Sequence, residues 1–514
     1  MIKILNNTNK RLKLPCFNII TVGRAYELLR HDLCCQLKEM QKELNFKYCR
    51  FHGIFHDDVA VVVIDSNGEI QYQWHQLDKI YDFLLSINLK PFVELNPMPS
   101  VFASGEKTIF KWQMNVTPPI EMSYWYNLVK AFCEHITDRY GEDEVKTWYF
   151  EVWNEPNLKG FWTGTQAEYF ELYKVSAEAV KAVNPEYKIG GPASSSGAWI
   201  DDTINYCVEN NVPIDFVSTH LYPQDEDCTY PDRADSPHKI GEYMYDRVKG
   251  VYDTVKNSKL PNLEIHWTEW NTQSKLPNEK ITWTQNKAVD MCFSAAYIVK
   301  NMIAVKNFCD SMAYWIASDV FEESGLPHSS FSCTYGLMNI HGLKKASYNA
   351  FKLLKKMTGE ILELSANPPE GCGAYAVNEG ENIKVILWNN HSFEYTKDII
   401  WKDTISFVKP EGKYIAVSAS VRENKGSAYE TWVSLGMPHN VSAIEAEVLE
   451  AASVLDYNFK LYDGGEMTFD FELKHNEVMY VELRKRSISA IPKNLKSTKI
   501  SDLNEQLMTN NKAQ

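Results

Sequence analysis

The chain has 514 residues, 23% of them charged, with a formal net charge of −14 and 11 cysteines. That length exceeds one small domain and allows a large core plus a second module. The acidic balance argues against nucleic acid or an anionic membrane as partner, since both need basic patches, and no run of about 18 apolar residues is available to span a bilayer.

The N-terminus, Met1-Ile2-Lys3-Ile4-Leu5-Asn6-Asn7-Thr8, lacks the apolar core of a secretory leader. Residues 1–13 are expected to add a strand to a sheet formed elsewhere. Apolar, β-rich runs follow at 17–22, 48–53, 91–95, 148–153, 188–191, 215–220, 264–270 and 311–316. Amphipathic helices are predicted between them, clearest at 126–140 and 167–183. The second shows Phe170, Tyr173, Val175, Ala177 and Val180 and stops at Asn184-Pro185, where proline denies continuation. Eight strand–helix repeats predict an α/β fold, a (β/α)8 TIM barrel over 14–350. A doubly wound sheet would need a nucleotide fingerprint, and no G-x-G-x-x-G occurs.

Past residue 357 the pattern shortens to alternating strands at 374–377, 383–388, 414–417, 467–471 and 478–481. Turn residues such as Glu379-Gly380-Glu381-Asn382 and Asp463-Gly464-Gly465 separate them. This predicts an additional C-terminal antiparallel β-sandwich domain over 351–486, expected to pack on the barrel rather than bind carbohydrate. Residues 487–514 are polar and read as a weakly ordered tail, a candidate clamp on a neighbouring subunit. The cysteines are scattered with no C-x-x-C pair. They read as free thiols of a cytoplasmic protein, with no structural zinc site.

Two strand tips carry the chemistry. Trp148-Tyr149-Phe150-Glu151-Val152-Trp153-Asn154-Glu155-Pro156-Asn157 is a buried run ending in a polar, proline-terminated tip. Ile265-His266-Trp267-Thr268-Glu269-Trp270-Asn271 is the second. In a barrel such tips open onto the catalytic face. A glycosidic bond needs a proton for its leaving oxygen and negative charge against an oxocarbenium-like carbon; two carboxyl groups supply both. Glu155, in a partly apolar setting, suits the general acid, and Glu269 the attacking carboxylate. Either glutamate alone would read as a helix cap or a loop ion pair; the two tips together point to glycoside hydrolysis. The 14 tryptophans and 28 tyrosines fit either large cores or sugar-stacking faces.

Further stretches make a resemblance specific. They are Tyr48-Cys49-Arg50-Phe51-His52-Gly53-Ile54-Phe55-His56-Asp57-Asp58, the segment from Phe92-Val93-Glu94 to Pro118-Pro119, residues 151–162, Asp215-Phe216-Val217-Ser218-Thr219-His220, and the segment from Tyr314-Trp315 to Glu322-Glu323. With the two tips they resemble glycoside hydrolase family 39, over residues 17 to 350 with the sandwich also fitting. The resemblance implies an exo-acting, retaining β-xylosidase on short xylo-oligosaccharides, with Glu155 as acid/base, Glu269 as nucleophile, and carboxyl groups about 5–5.5 Å apart. It implies no cofactor or metal.

By the same resemblance Asn154 binds the 2-hydroxyl, His220 and Tyr222 hold nucleophile and sugar, and His52 takes a sugar hydroxyl. Arg50 lies beneath Glu269 and keeps it ionised. Trp315 floors the sugar subsite and Glu323 grips distal hydroxyls, although adjacent Glu322 leaves that register open. Trp112 is a candidate pocket residue from the third loop. A homo-oligomer, such as a tetramer, is implied. Relatives often carry tyrosine where Trp270 stands, and the loop 273–287 looks long; both bear on the leaving-group side. Alternatives are another glycone (α-L-iduronide, which needs a cationic grip on its carboxylate, β-glucoside, β-galactoside or α-L-arabinoside) or a non-catalytic sugar binder, against which both intact glutamates argue.

Overall fold

A computed structural model describes residues 1–223, 243–272, 287–391, 399–409, 411–463 and 465–486. The tail 487–514, nearly all of the loop 273–287 and Cys228 lie outside them. Eight parallel strands close a barrel in chain order: β1 (Ile19–Arg24), β2 (Tyr48–His52), β3 (Lys90–Leu95), β4 (Tyr149–Val152), β5 (Lys188–Ser195), β6 (Phe216–Leu221), β7 (Glu264–Trp270) and β8 (Ser311–Tyr314). The helices that follow them are α1 (His31–Leu44), α2 (His75–Ser86), α3 (Met122–Tyr140), α4 (Gln166–Val183), α5 (Ile200–Asn210), α6 (Tyr243–Asn257), α7 (Cys292–Val305) and α8 (Ala346–Lys356). The expected (β/α)8 barrel is thus present. α4 begins one residue earlier than its apolar pattern suggests, because Thr165 and Glu168 form a reciprocal capping box.

Strand ends differ from expectation where local geometry wins over apolar runs. Phe17 sits in a 3₁₀ turn, Pro15–Phe17, so β1 starts later. β8 ends at Tyr314, before Trp315 and Ile316. Inside the barrel, the period-2 alternation of a strand stacks side chains in layers. The lower layer is aromatic: Phe92, Tyr149 and Phe216 pack within 5.0–5.5 Å of one another and of His266. Such ring pairs each add about 0.5–1.5 kcal/mol beyond area burial. They plug the barrel's base and leave its upper end for polar groups.

The second unit is a nine-stranded, mostly antiparallel sheet. Its C-terminal strands are β9 (Glu360–Ser365), β10 (Cys372–Glu379), β11 (Asn382–Asn389), β12 (Trp401–Lys409), β13 (Tyr414–Val421), β14 (Asp456–Tyr462), β15 (Gly465–Leu473) and β16 (Val478–Lys485). The order is β14-β13-β16-β11-β10-β9, then the N-terminal strand Ile2–Arg11, then β12-β15. Phe407, Met467 and Phe469 from one end share a core with Val385, Ala416 and Leu483 from the other, so the sheet doubles over into two layers. Its other face packs Val377, Ile386, Ala419, Val478 and Tyr480 into the barrel's core cluster. Three of these strands, β9, β12 and β14, were not expected from sequence.

Candidate active site

The site forms where the alternation is broken. At the end of β4, regular pleating would send Trp153 and Glu155 the same way as Glu151. Instead Trp153 and Glu155 take left-handed φ values of 70° and 45°, conformations that cost roughly 1–3 kcal/mol for residues other than glycine. Trp153 then packs outward against Trp125 and Trp162, while Asn154 and Glu155 enter the barrel mouth. The tip is pinned to β5: the Glu155 N–H donates to the Ala193 carbonyl at 2.8 Å, and Asn157 bonds both backbone groups of Ser195. In β7 a register shift against β6 falls between Thr219 and His220, bringing Glu269 opposite His220. Thr268 and Glu269 therefore both reach inward, and Trp270 turns out against Tyr314.

Arg50, wholly buried on β2, organises the floor. Its Nε is 2.5 Å from Glu151, Nη1 is 2.8 Å from Glu269, and Nη2 is 2.5 Å from Glu94 and 2.9 Å from Asn154. Burial opposes its charge, but the three glutamates outweigh burial and hold the guanidinium protonated. Thr268 donates to the other oxygen of Glu151 at 2.7 Å. Glu94 and Glu151 escaped sequence reasoning as site members. The available signal was a lone glutamate at an inward position of an apolar strand, since a buried charge requires a partner.

Glu269 accepts a 2.7 Å hydrogen bond from the Tyr222 hydroxyl. Burial raises its pKa, and the Arg50 charge and the Tyr222 bond offset that only in part. Tyr222 itself is pushed well up by burial and by Glu269, so it stays a donor. His220 Nδ1 lies 3.0 Å from Glu155 Oε1 and 3.6 Å from Glu269 Oε2. Burial, then Arg50 and His52, hold His220 far below the usual imidazole range. His52 Nδ1 sits 2.8 Å from Glu94, with its pKa pulled down to about 3 mainly by burial. Both imidazoles are neutral at neutral pH.

Trp315 packs on His52 at 4.8 Å, and Asn271 donates to its carbonyl. The Glu322–Glu323 register resolves by partners. The Glu322 carboxylate bonds Arg24 through Nε (3.0 Å) and Nη2 (2.6 Å), so it faces β1. Glu323 is partly buried, and burial followed by the charges of Glu269 and Glu27 raises its carboxyl well above the usual range. Its carboxyl thus lies within electrostatic reach of both Glu269 and Glu27. Trp112 stacks on Phe110 at 5.6 Å, and Phe110 stacks on His52 at 6.1 Å. Trp112 thus belongs to an aromatic wall continuous with His52, which Phe161 of the β4 loop joins through Phe110 at 5.5 Å. The nine residues given site roles from sequence, and the pocket candidate Trp112, meet at this end of the barrel.

Two donor sets, His52–Glu94–Glu269 and Glu155–His220–Glu269, each bring one ligand atom per residue within 4.8 Å of the others. Arg50 lies against two donors of the first, so a cation there would meet a fixed positive charge. The second set places oxygens of the two tip glutamates within 4.8 Å with a neutral imidazole between them. That arrangement can donate a proton from one carboxyl group while the other, beside Arg50, stays anionic.

Comparison with known proteins gives the family. A β-xylosidase from Caldicellulosiruptor saccharolyticus is 36% identical, covering 94% of this chain and 99% of that one. A β-xylosidase from Geobacillus stearothermophilus is 32% identical, covering 94% and 95%. The crystal structure of a monomeric β-xylosidase from Caulobacter crescentus CB15 superposes with a TM-score of 0.82 at 30% identity, covering 95% of this chain and 99% of that one. The profile of glycosyl hydrolases family 39 matches residues 1–455. The chain belongs to glycosyl hydrolases family 39 and is a glycoside hydrolase.

Proposed function

We propose that this enzyme is a retaining, exo-acting β-D-xylosidase in which Glu155 is the general acid/base and Glu269 the nucleophile. The observation that carries the reading is the approach of Glu155 and Glu269 oxygens to within 4.8 Å. Retaining enzymes keep their carboxyl groups about 5–5.5 Å apart, whereas inverting enzymes leave about 6.5–9.5 Å for a water. The names of the two β-xylosidase relatives support the choice of sugar.

In the first step a Glu269 oxygen attacks the anomeric carbon. The glycosidic bond breaks, and its oxygen takes the proton of Glu155. In the second step Glu155 takes a proton from water, the resulting hydroxide attacks the anomeric carbon, and Glu269 leaves as carboxylate. Arg50 and Tyr222 favour the anionic Glu269 that both ends of the cycle require. A basic imidazole 3.0 Å from Glu155 would claim its proton; the low basicity of His220 leaves that proton available. Asn154, His52 and Glu323 surround the space for the sugar's hydroxyls, and Trp315 offers a face for its ring. The free thiols, ten among the described residues, suit a cytoplasmic enzyme, and a homo-oligomer such as a tetramer belongs to the same reading.

Hydrolysis of aryl β-D-xyloside, β-D-glucoside, β-D-galactoside, α-L-arabinoside and α-L-iduronide tests the sugar. Fastest turnover of the xyloside, lost in Glu269→Ala with the fold retained, is expected. Substantial residual turnover in that variant removes Glu269 as nucleophile. Glu155→Ala is expected to cost about 10²–10⁴-fold on poor leaving groups and far less on activated ones; equal losses contradict the acid role. Proton NMR should show the β-anomer first, and an α-anomer would mean inversion.

A further inference from the structure

One buried carboxyl group near the barrel mouth has no part in either step of the proposed mechanism. β1 runs directly into a 3₁₀ turn, Ala25–Leu29. That turn folds Glu27 back against the loop after β8, where it is 1% exposed. Among the described residues no cation pairs with it. Arg24 turns its guanidinium to Asp58 and Glu322, and Arg30 turns to Asp32 and Glu322. Burial, then the charge of Glu322, push the Glu27 carboxyl up to about 8, so it is neutral at neutral pH. Even a neutral polar group is costly to bury unless it is hydrogen-bonded, and an apolar side chain of similar size would fill the same space.

Glu27 works as an acceptor. The N–H of Arg24, the last residue of β1, donates to Oε2 at 3.2 Å, and the N–H of Glu322 donates to Oε1 at 2.8 Å. One side chain thus ties the end of the first barrel strand to the loop that follows the last. The strand leaves room for it. A Cβ on Gly23 would stand 2.6 Å from Glu27 Oε2 and 2.6 Å from Phe321 Cδ2, so only glycine lets both side chains lie this close to the backbone.

Glu323 is thereby held from both sides. Before it in the chain, Glu27 fixes the Glu322 N–H, and Phe321 packs edge-on against Trp315 and Tyr335 at 6.0 Å each. After its side chain, the Glu323 carbonyl accepts from the Lys111 N–H at 2.8 Å. Lys111 lies between Phe110 and Trp112 of the aromatic wall. A side chain on a loop is aimed only as well as its supporting contacts fix the backbone that bears it.

We propose that Glu27 is a positioning residue for sugar recognition: by holding the Glu322 N–H it sets where the Glu323 carboxyl stands, and through Glu323 how tightly the glycone binds. This rests on the reading of Glu323 as a ligand of sugar hydroxyls. Glu27 gives no proton to the glycosidic bond and makes no bond to the anomeric carbon; those roles stay with Glu155 and Glu269.

Glu27→Met keeps the volume and removes both acceptors. On the aryl glycoside turned over fastest it should raise KM about tenfold while kcat changes by less than about twofold, the size of effect one lost hydrogen bond gives. The inhibition constant of that glycoside's sulfur-linked analogue, which binds without turning over, should rise in step with KM. Glu27→Gln retains an amide oxygen for the Glu322 N–H and should bring KM back to within about threefold of wild type. The deciding measurement is the cycle with Glu323→Ala. In that background Glu27→Met should add less than about twofold, because no carboxyl is left to aim. Should Glu27→Met fail to fold, Gly23→Ala displaces the same carboxyl, and its effect on KM should vanish likewise in the Glu323→Ala background. A penalty undiminished in that background, Glu27→Gln as damaging as Glu27→Met, or a loss confined to kcat would overturn the proposal. A damaging Glu323→Ala beside an inert Glu27→Met would overturn it while leaving Glu323 as a sugar ligand. An inert Glu323→Ala would remove that ligand, and the positioning role of Glu27 with it.

Discussion

Arg50 is one cation facing three carboxylates, all out of water. Removing one partner of a buried ion cluster leaves the others uncompensated, at a cost of about 3–5 kcal/mol. Arg50→Met should therefore lower the urea midpoint by that equivalent and abolish turnover; a stable, merely slow variant would mean the glutamates neutralise themselves by protonation. Tyr222 gives a gentler probe. Under the proposed mechanism Glu269 attacks as carboxylate, so activity should fall as pH drops through its pKa, which burial has raised. The Tyr222 hydrogen bond lowers that pKa. Tyr222→Phe should then move the acid limb of the kcat profile to higher pH. A limb that stays put would mean the hydroxyl acts on the sugar alone. His52, with its pKa near 3, contributes nothing to a limb in the neutral range.

At the scale of elements, the loop after β8 carries both Trp315 and Glu323, yet little regular structure holds it. A second buried ion cluster does: Lys345 at the start of α8 lies 2.6 Å from Asp290 and 2.6 Å from Asp319. Asp319 also accepts from the Gly336 N–H and Asp290 from the Cys333 N–H. Lys345→Met should cost about 3–5 kcal/mol in chemical denaturation and raise KM for aryl glycosides through the loosened Glu323; an unchanged KM would uncouple the cluster from the pocket. The same contrast explains what was legible in the sequence. Buried parallel strands are apolar runs, so all eight announced themselves, and Asn154-Glu155 and Thr268-Glu269 stood out as polar groups at their ends. The left-handed turn at Trp153 and the shifted register of β7 left no trace in composition, so which of neighbouring side chains enters the barrel was not readable. β14 was missed because its exposed face is apolar and its other face polar and wet, the reverse of a strand half-buried on a core. Glu322 and Glu323 were equivalent until Arg24 claimed one of them.

On the scale of the whole molecule, one short strand decides whether two units behave as one. Ile2–Arg11 lies between β9, with which it is antiparallel, and β12, with which it is parallel. Ile2 is fully buried in the sheet's own core, and the N-terminal ammonium lies 2.5 Å from Asp403. Directly after this strand the chain enters the barrel, and directly after α8 it leaves the barrel into β9. Both barrel ends are thus anchored on neighbouring strands of the second sheet. β12 has only the N-terminal strand and β15 for neighbours. Deleting residues 2–11 should therefore cut β12–β15 from the other strands and leave two unpaired edges, a known route to aggregation. The melting temperature should fall and aggregation should follow. A peptide of residues 1–12 added in excess should occupy the vacated slot by strand addition and recover both. An unchanged melting temperature after the deletion would show that the doubled sheet holds by its apolar core alone, with the backbone ladder of this strand contributing nothing to its closure.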